Sequence, residues 1–292
     1  MGSPARAVER GHNGAMAVSV SQMLMQGLDE LRFQPTAKRI RALRGDVVVA
    51  DSTRAALVWE PRRVVPVYAL PVADVAAPMT ASSAAAAPAV PVPLGGGDPV
   101  LDPRTGFGFH SCPGTALTIE VDGTALDGVA FRPDDPELAD LVLLDFEAFD
   151  WLEEDEPIRG HPRDPFHRVD VRRSSRRVRM ELDGVLIAES DRSMMLFETG
   201  LPLTRFYLPR EDVRVAMTST ATRTWCAYKG EASYFTVEQA GEPGVDVAWS
   251  YERPLPDCPQ IAGLVAFFQE RLDVIVDGAP MVRPRTPWSE PA

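Results

Sequence analysis

In "RVRMELDGVLIAES" the apolar residues fall on every second position, so Val178, Met180 and Leu182 share one face. Asp183-Gly184 then supplies a two-residue hairpin turn, and a second alternating run follows. Short runs of this kind, broken by Gly, Pro or Asp, recur along the chain, while long stretches with a period of 3.6 are missing. The pattern predicts an all-β protein of antiparallel strands with little helix. "QIAGLVAFFQERLDVIVDG" fits either a helical turn leading into strands or one longer helix. Gly263 and the β-branched Val265, Val274, Ile275 and Val276 favour strand.

The alternation also repeats. Residues 37–75 overlay residues 175–213 without a gap, matching Arg39 with Arg177, Arg41 with Arg179, Ser52 with Ser190, Arg54 with Arg192, and Glu60 with Glu198. A second block, residues 138–158, overlays residues 261–281, with extra residues between the two blocks of the first copy. Their obvious source is "AAPMTASSAAAAPAVPVPLGGGDP", too poor in apolar surface to order itself. The expected organisation is a disordered tail over 1–30, a first, degenerate β-domain over 31–158 with a flexible insert at 76–99, a connector over 159–172, a second β-domain over 173–280, and a disordered tail over 281–292.

Charge and cysteine content narrow the partners. The 30 Lys and Arg against 42 Asp and Glu leave a net charge of −12, which opposes the counterion release that drives nucleic-acid binding, so no nucleic-acid partner is expected. The N-terminal stretch lacks the apolar core of a signal peptide, and no run reaches membrane-spanning length, so no membrane partner is expected either. Three cysteines, Cys112, Cys226 and Cys258, form an odd set suited to free thiols in a reducing compartment, and a cytoplasmic location is expected. The sequence assigns no oligomeric state.

Five stretches, "RVRMELDGVLIAES", "LFETGLPLTRFYLPREDV", "CAYKGEASYFTV", "VAWSYERPLP" and "IAGLVAFFQERLDVIVDG", occur in the order found in the domain of unknown function 427, which the second copy closely resembles. "GHPRDPFHRVDVRRSSRRVR" resembles the join in tandem, actinobacterial-style members of that family. The resemblance implies a β-tent-like fold, similar to the ligand-binding domain of cereblon and to methionine sulfoxide reductase B, and a nucleotidyltransferase label. The residues do not carry that label's chemistry. A Gly-Ser turn followed by two carboxylates one residue apart is missing, as are a Gly-rich phosphate loop ending in Lys-Ser or Lys-Thr and a dinucleotide fingerprint. Three dispersed cysteines cannot supply the close ligand pairs of a zinc site. No cofactor and no metal are therefore expected.

Candidate chemistry comes from a difference between the copies. Cys112 in "FHSCPGTALTIEV" falls at about the place of Cys226 in "TWCAYKGEASYFTV", but the first copy has no equivalent of Tyr228-Lys229, and Phe131 and Pro133 replace Trp249 and Tyr251. Folding needs only the shared apolar pattern, so the added polar and aromatic groups are the candidates for ligand contact. The expected function is binding of a small planar or anionic molecule, for which a nucleotide would serve, through Tyr228, Lys229, Trp249, Tyr251 and Arg210 in a pocket of the second domain. Two alternatives stand beside it: a transferase using Cys226 or Lys229, with Lys229 lowering the thiol's pKa, and a protein-interaction module. Arg192 and Glu198, present in both copies, are expected to form an ion pair or hydrogen bond behind the site. His161, Asp164, His167 and Asp170 suggest either metal ligands or an extended connector, and the prolines beside them favour the connector.

Overall fold

Alternating strands need a partner for each face, and the chain supplies one by building two kinds of sheet in each half. The computed structural model describes residues 17, 19–95, 97–201 and 203–289. In the first half, a seven-stranded antiparallel sheet runs in the order Arg32–Pro35, Ala56–Trp59, Val67–Pro71, Leu141–Leu144, Thr124–Pro133, Gly114–Val121 and Met79–Ala81. In the second half the order is Val169–Arg173, Met194–Glu198, Arg205–Leu208, Val265–Phe267, Ala248–Ser250, Gly230–Val237 and Met217–Cys226. The order of succession along the chain is the same in both. Each seven-stranded sheet is accompanied by a four-stranded one, centred on Ile40–Arg44 and Asp150–Glu153 in the first half and on Val178–Leu182 and Asp273–Val276 in the second.

Turn chemistry sets the hairpins. Leu182 pairs with Val185 across Asp183-Gly184, whose φ values of 50° and 78° are both positive, as a type I′ turn requires. Asp122-Gly123 and Asp277-Gly278 close two further hairpins in the same way. "QIAGLVAFFQERLDVIVDG" divides into a short helical turn at Pro259–Ile261 and the strands Val265–Phe267 and Asp273–Val276.

Period two gives each seven-stranded sheet two apolar faces. In the second half Phe206, Leu208, Ala248, Val265 and Phe267 meet Val178, Met180, Val274 and Val276 of the four-stranded sheet in the main core. Their neighbours Tyr207, Trp249, Tyr251 and Ala266 line the opposite face, in a smaller cluster with Cys226, Cys258 and Phe268. The candidate site lies on that second face.

Three expected disordered stretches have fixed partners instead. Within 76–99, Met79–Ala81 pairs with the strand Gly114–Val121, and Pro91–Val92 pairs with Val100–Leu101. Val92 and Val100 are buried with Leu28, and Thr105 satisfies both the N–H and the C=O of Val90. Of the expected N-terminal tail, residues 1–16 and 18 lie outside the described residues, while Val20–Gln26 is a short helix. At the C-terminus, 290–292 lie outside them, and the preceding residues are held by a buried charge. Arg205 donates to both Glu270 oxygens at 2.7 and 2.6 Å, and the Thr286 hydroxyl donates to Glu270 at 2.6 Å. The Arg205 guanidinium lies 5.2, 5.8 and 5.8 Å from the ring centres of Trp249, Phe268 and Trp288.

Removing one partner of a buried ion pair leaves the other charge uncompensated. Glu270→Gln is therefore expected to lower unfolding free energy by about 3–5 kcal/mol in a denaturant titration. Asp51→Ala, which removes the partner of the solvent-exposed Arg39, is expected to leave the midpoint nearly unchanged.

Candidate functional site

"CAYKG" is the loop of a hairpin. Cys226 pairs with Gly230, leaving Ala227, Tyr228 and Lys229 between them, and Gly230, the first residue after the loop, takes a positive φ of 95° that glycine adopts without strain. Hairpin tips usually point into water, yet all three loop residues are buried. Chain from both sides covers them. On one side the Leu255 N–H donates to the Lys229 carbonyl at 3.1 Å, and the Cys258 thiol lies 3.8 Å from the Tyr228 carbonyl. On the other side the connector folds over the loop. The Asp164 N–H donates to the Tyr228 hydroxyl at 2.8 Å, the Arg163 guanidinium sits 5.2 Å from the Tyr228 ring centre, and His161 meets that ring edge-on. The His167 imidazole stacks on the Tyr228 ring with centroids 4.1 Å apart and the planes inclined by 27°.

Below the stacked rings lies a buried charge cluster. Lys229 Nζ donates to both Glu198 oxygens at 2.7 Å, and His167 Nε2 is 3.0 Å from Glu198 Oε1. Burial alone would neutralise both members, raising a carboxyl pKa and lowering an amine pKa. For Glu198 burial is the largest influence and acts upward, but Lys229 and His167 outweigh it and hold the carboxyl down at about 2. For Lys229 burial acts downward, and the Glu198 carboxylate outweighs it, holding the ammonium above its usual range. Both groups are thus charged at neutral pH. Burial pushes Tyr228, Tyr207 and Tyr251 upward and holds His161 below the usual imidazole value.

The remaining expected site residues do not converge on this corner. Trp249 and Tyr251 share one face, as their spacing predicts, but that face is buried, and Trp249 Nε1 points to the Tyr207 hydroxyl at 3.4 Å. They form the floor under the corner rather than an open wall. Arg210 is elsewhere, paired with Glu252 and stacked 4.8 Å from the Phe235 ring centre. Arg192 and Glu198 do not meet. Arg192 pairs with Asp212 at 2.9 Å and with Glu211, as Arg54 pairs with Asp74 at 2.8 Å, so the recurring Ser-x-Arg is a surface clamp on the next acidic turn. Glu198, expected behind the site, stands at its centre. Cys226 packs among apolar residues at the hairpin end, and the lysine expected to act on its thiol is directed to Glu198 instead. Among the described residues no group of three His, Cys, Asp or Glu is arranged to hold a metal ion.

The first half builds a related cluster from other residues. Glu60 accepts from the Ser111 N–H at 2.8 Å, lies 3.1 Å from His110 Nδ1, and has the Cys112 thiol at 3.7 Å. Burial, then Glu60, pushes that thiol up to about 12. Strand register corrects the sequence overlay here. Ala130 faces Leu117 as Ala248 faces Phe235, and Phe131 faces Ala116 as Trp249 faces Tyr234, which places Ser111 where Lys229 stands and Cys112 at Gly230 rather than at Cys226. The role of His167 escaped the sequence reading because it depends on how the connector folds back. The available signal was an acid, Glu60 or Glu198, repeated at the end of an apolar strand.

Residues 170–278 match the model of a family described as Domain of unknown function (DUF427), a model whose short name carries a nucleotidyltransferase label. No curated protein matches the chain.

Glu198, with its folded pKa depressed below the ordinary 4.5, contributes stability that is fully present above pH 4.5 and is lost as pH falls toward 2. Acid titration of wild type and Glu198→Gln should show the wild type's advantage, on the order of a few kcal/mol near neutral pH, shrinking across that window. A pH-independent difference would contradict the charge assignment.

Proposed function

We propose that the second half, over the span that carries the domain of unknown function 427 pattern, is a binding module for a small planar heteroaromatic molecule, received at the Tyr228–Glu198 corner. One observation carries this reading: the His167 imidazole stacks on Tyr228 while its Nε2 meets Glu198. A planar nitrogen heterocycle already occupies the corner, held by an aromatic face and a buried carboxylate, the two elements from which such ligand sites are built. A ligand with a flat ring and a ring N–H would reproduce both contacts on displacing His167. A nucleobase or a nicotinamide-like ring meets that description.

The anionic part of the expectation draws less support, because both Glu198 oxygens already take the Lys229 ammonium. The transferase alternative draws less still. A lysine acting as nucleophile must give up its proton near neutral pH, and the ion pair stabilises the protonated form. The binding reading rests on the connector yielding its place.

Calorimetry with adenine, hypoxanthine, nicotinamide and free imidazole tests it on wild type, Tyr228→Leu and His167→Gly. At least one ring should bind wild type, bind more tightly to His167→Gly where its place is vacated, and lose tenfold or more in affinity with Tyr228→Leu. Failure of every ring to bind His167→Gly, with the variant folded by circular dichroism, would sink the reading.

A further inference from the structure

Register and period two aim an acid and a base at each other at the end of the first half's four-stranded sheet. Trp151 pairs with Ile158 and Leu152 with Pro157, so one step further along the same ladder Asp150 would stand opposite Arg159. Trp151 and Ile158 pack into the core with Ala42, which turns Asp150, Leu152, Pro157, Arg159 and Leu43 to the outer face. An acid and a base facing each other across strands ordinarily pair. Here they do not. Both side chains are exposed, and among the described residues neither the Asp150 carboxylate nor the Arg159 guanidinium has an ion pair or a hydrogen bond.

The exit of the chain separates them. After Ile158 it turns at Gly160, whose φ is +86° and whose backbone packs so closely on Trp225 that a Cβ would stand 3.1 Å from the indole. Arg159 is drawn along, and its guanidinium comes to rest 5.3 Å from the centre of the Trp225 ring. A groove of about 250 Å³ opens between Asp150 and Arg159, over Leu43, Leu152, Pro157 and Ile158. The second half has no such opening. There the counterpart of Asp150 in the sequence overlay, Asp273, pairs with Arg283 at 2.7 Å, and the corresponding space beside Leu272 and Met281 has no room for a water molecule.

We infer that this groove binds a free amino acid with an apolar side chain, its ammonium on Asp150, its carboxylate on Arg159 and its side chain on the apolar floor. Charge complementarity selects the occupant. A simple cation would leave Arg159 unmatched and a simple anion would leave Asp150 unmatched, whereas a zwitterion meets both and completes the pair that the turn keeps apart. Stacking on Trp225 occupies a face of the Arg159 guanidinium and leaves its N–H edge free for the planar fork that a carboxylate accepts. The volume takes one side chain of the size of leucine or phenylalanine, and an apolar cleft with a few placed polar groups is the usual form of a small-molecule site. The groove uses none of the residues of the Tyr228–Glu198 corner, so either proposal can fail without the other.

The probes are L-leucine and L-phenylalanine, titrated calorimetrically into the full chain. Saturable binding of at least one is expected, weakened at least about tenfold by Asp150→Asn and by Arg159→Gln. The N-acetyl derivative of the amino acid that binds lacks the ammonium and its amide lacks the carboxylate, and each should bind at least about tenfold more weakly than the parent. Asp150→Asn should cost the N-acetyl derivative nothing further, because the contact it removes is already missing. Both side chains are exposed, so the variants should melt at the wild-type temperature, and Asp273→Asn should leave affinity unchanged. Absence of saturation by either amino acid at millimolar concentration, or an affinity of Asp150→Asn within about twofold of wild type, would overturn the proposal. Equal affinity for the parent and both derivatives would overturn it too, assigning the groove to an uncharged apolar ligand.

Discussion

A carboxylate and an ammonium can leave water together only if they meet, and Glu198 and Lys229 meet at 2.7 Å through both oxygens. Glu198 ends the second strand of its sheet, and Lys229 sits in the loop before the sixth, with Arg205–Leu208, Val265–Phe267 and Ala248–Ser250 between them in the hydrogen-bonded order. The pair therefore ties the sheet across its end. With Lys229 fixed, the neighbouring Tyr228 is turned toward the connector, where His161, Arg163, Asp164 and His167 cover it. Without that cover the loop would expose a charge pair whose interaction water would screen to a fraction of its strength. Burial of the cluster and the path of the connector are thus one constraint seen from two sides.

The first half keeps the carboxylate and changes its partners. Glu60 is again tied across three strands to the chain just before Gly114–Val121, but by a backbone N–H and an imidazole instead of a lysine. A buried acid satisfied in either way closes the sheet, so this end of the fold tolerates different chemistry. Both halves stack the imidazole that meets the acid on an aromatic ring, His110 on Phe131 with centroids 3.5 Å apart and His167 on Tyr228. Both also set a cation beside the acid. The second half brings its cation, Lys229, to hydrogen-bond distance at 2.7 Å, where the Arg63 guanidinium stands 3.7 Å from Glu60. The chain also leaves the four-stranded sheet differently in the two halves: after Ala279–Pro280 it continues through Met281, whose N–H donates to the Val274 carbonyl, and after Glu156–Ile158 it turns at Gly160 against Trp225.

Period two, the Asp-Gly turns and the β-branched runs made most of the fold legible in the sequence, because each depends on neighbours within a few residues. Asp183-Gly184 forms the expected turn, and Val265 and Val274 to Val276 lie in strands. The insert at 76–99 was misjudged because its order comes from outside it, from Leu28, Thr105 and Gly108, none of which its own composition reveals. At the candidate site, Tyr228 and Lys229 stood out because one copy has them and the other does not. Glu198 was placed behind them because an acid present in both copies suggests a shared structural bond, and in fact it is that bond and the centre of the cluster at once. The role of His167 was beyond local reading, since its surroundings are set by where the chain turns at Gly160 and how the connector folds back.

The charge state of Lys229 decides most directly between a structural post under a binding corner and a reactive amine. Nitrogen-15 spectroscopy of the lysine side-chain ammonium groups, followed across alkaline pH with Lys229→Arg to assign the signal, reads it without reference to any ligand. A Lys229 ammonium that persists beyond pH 10.5, the ordinary lysine value, is the result this structure predicts. Loss of its proton near neutral pH would contradict the ion pair and return the site to the reactive-amine reading.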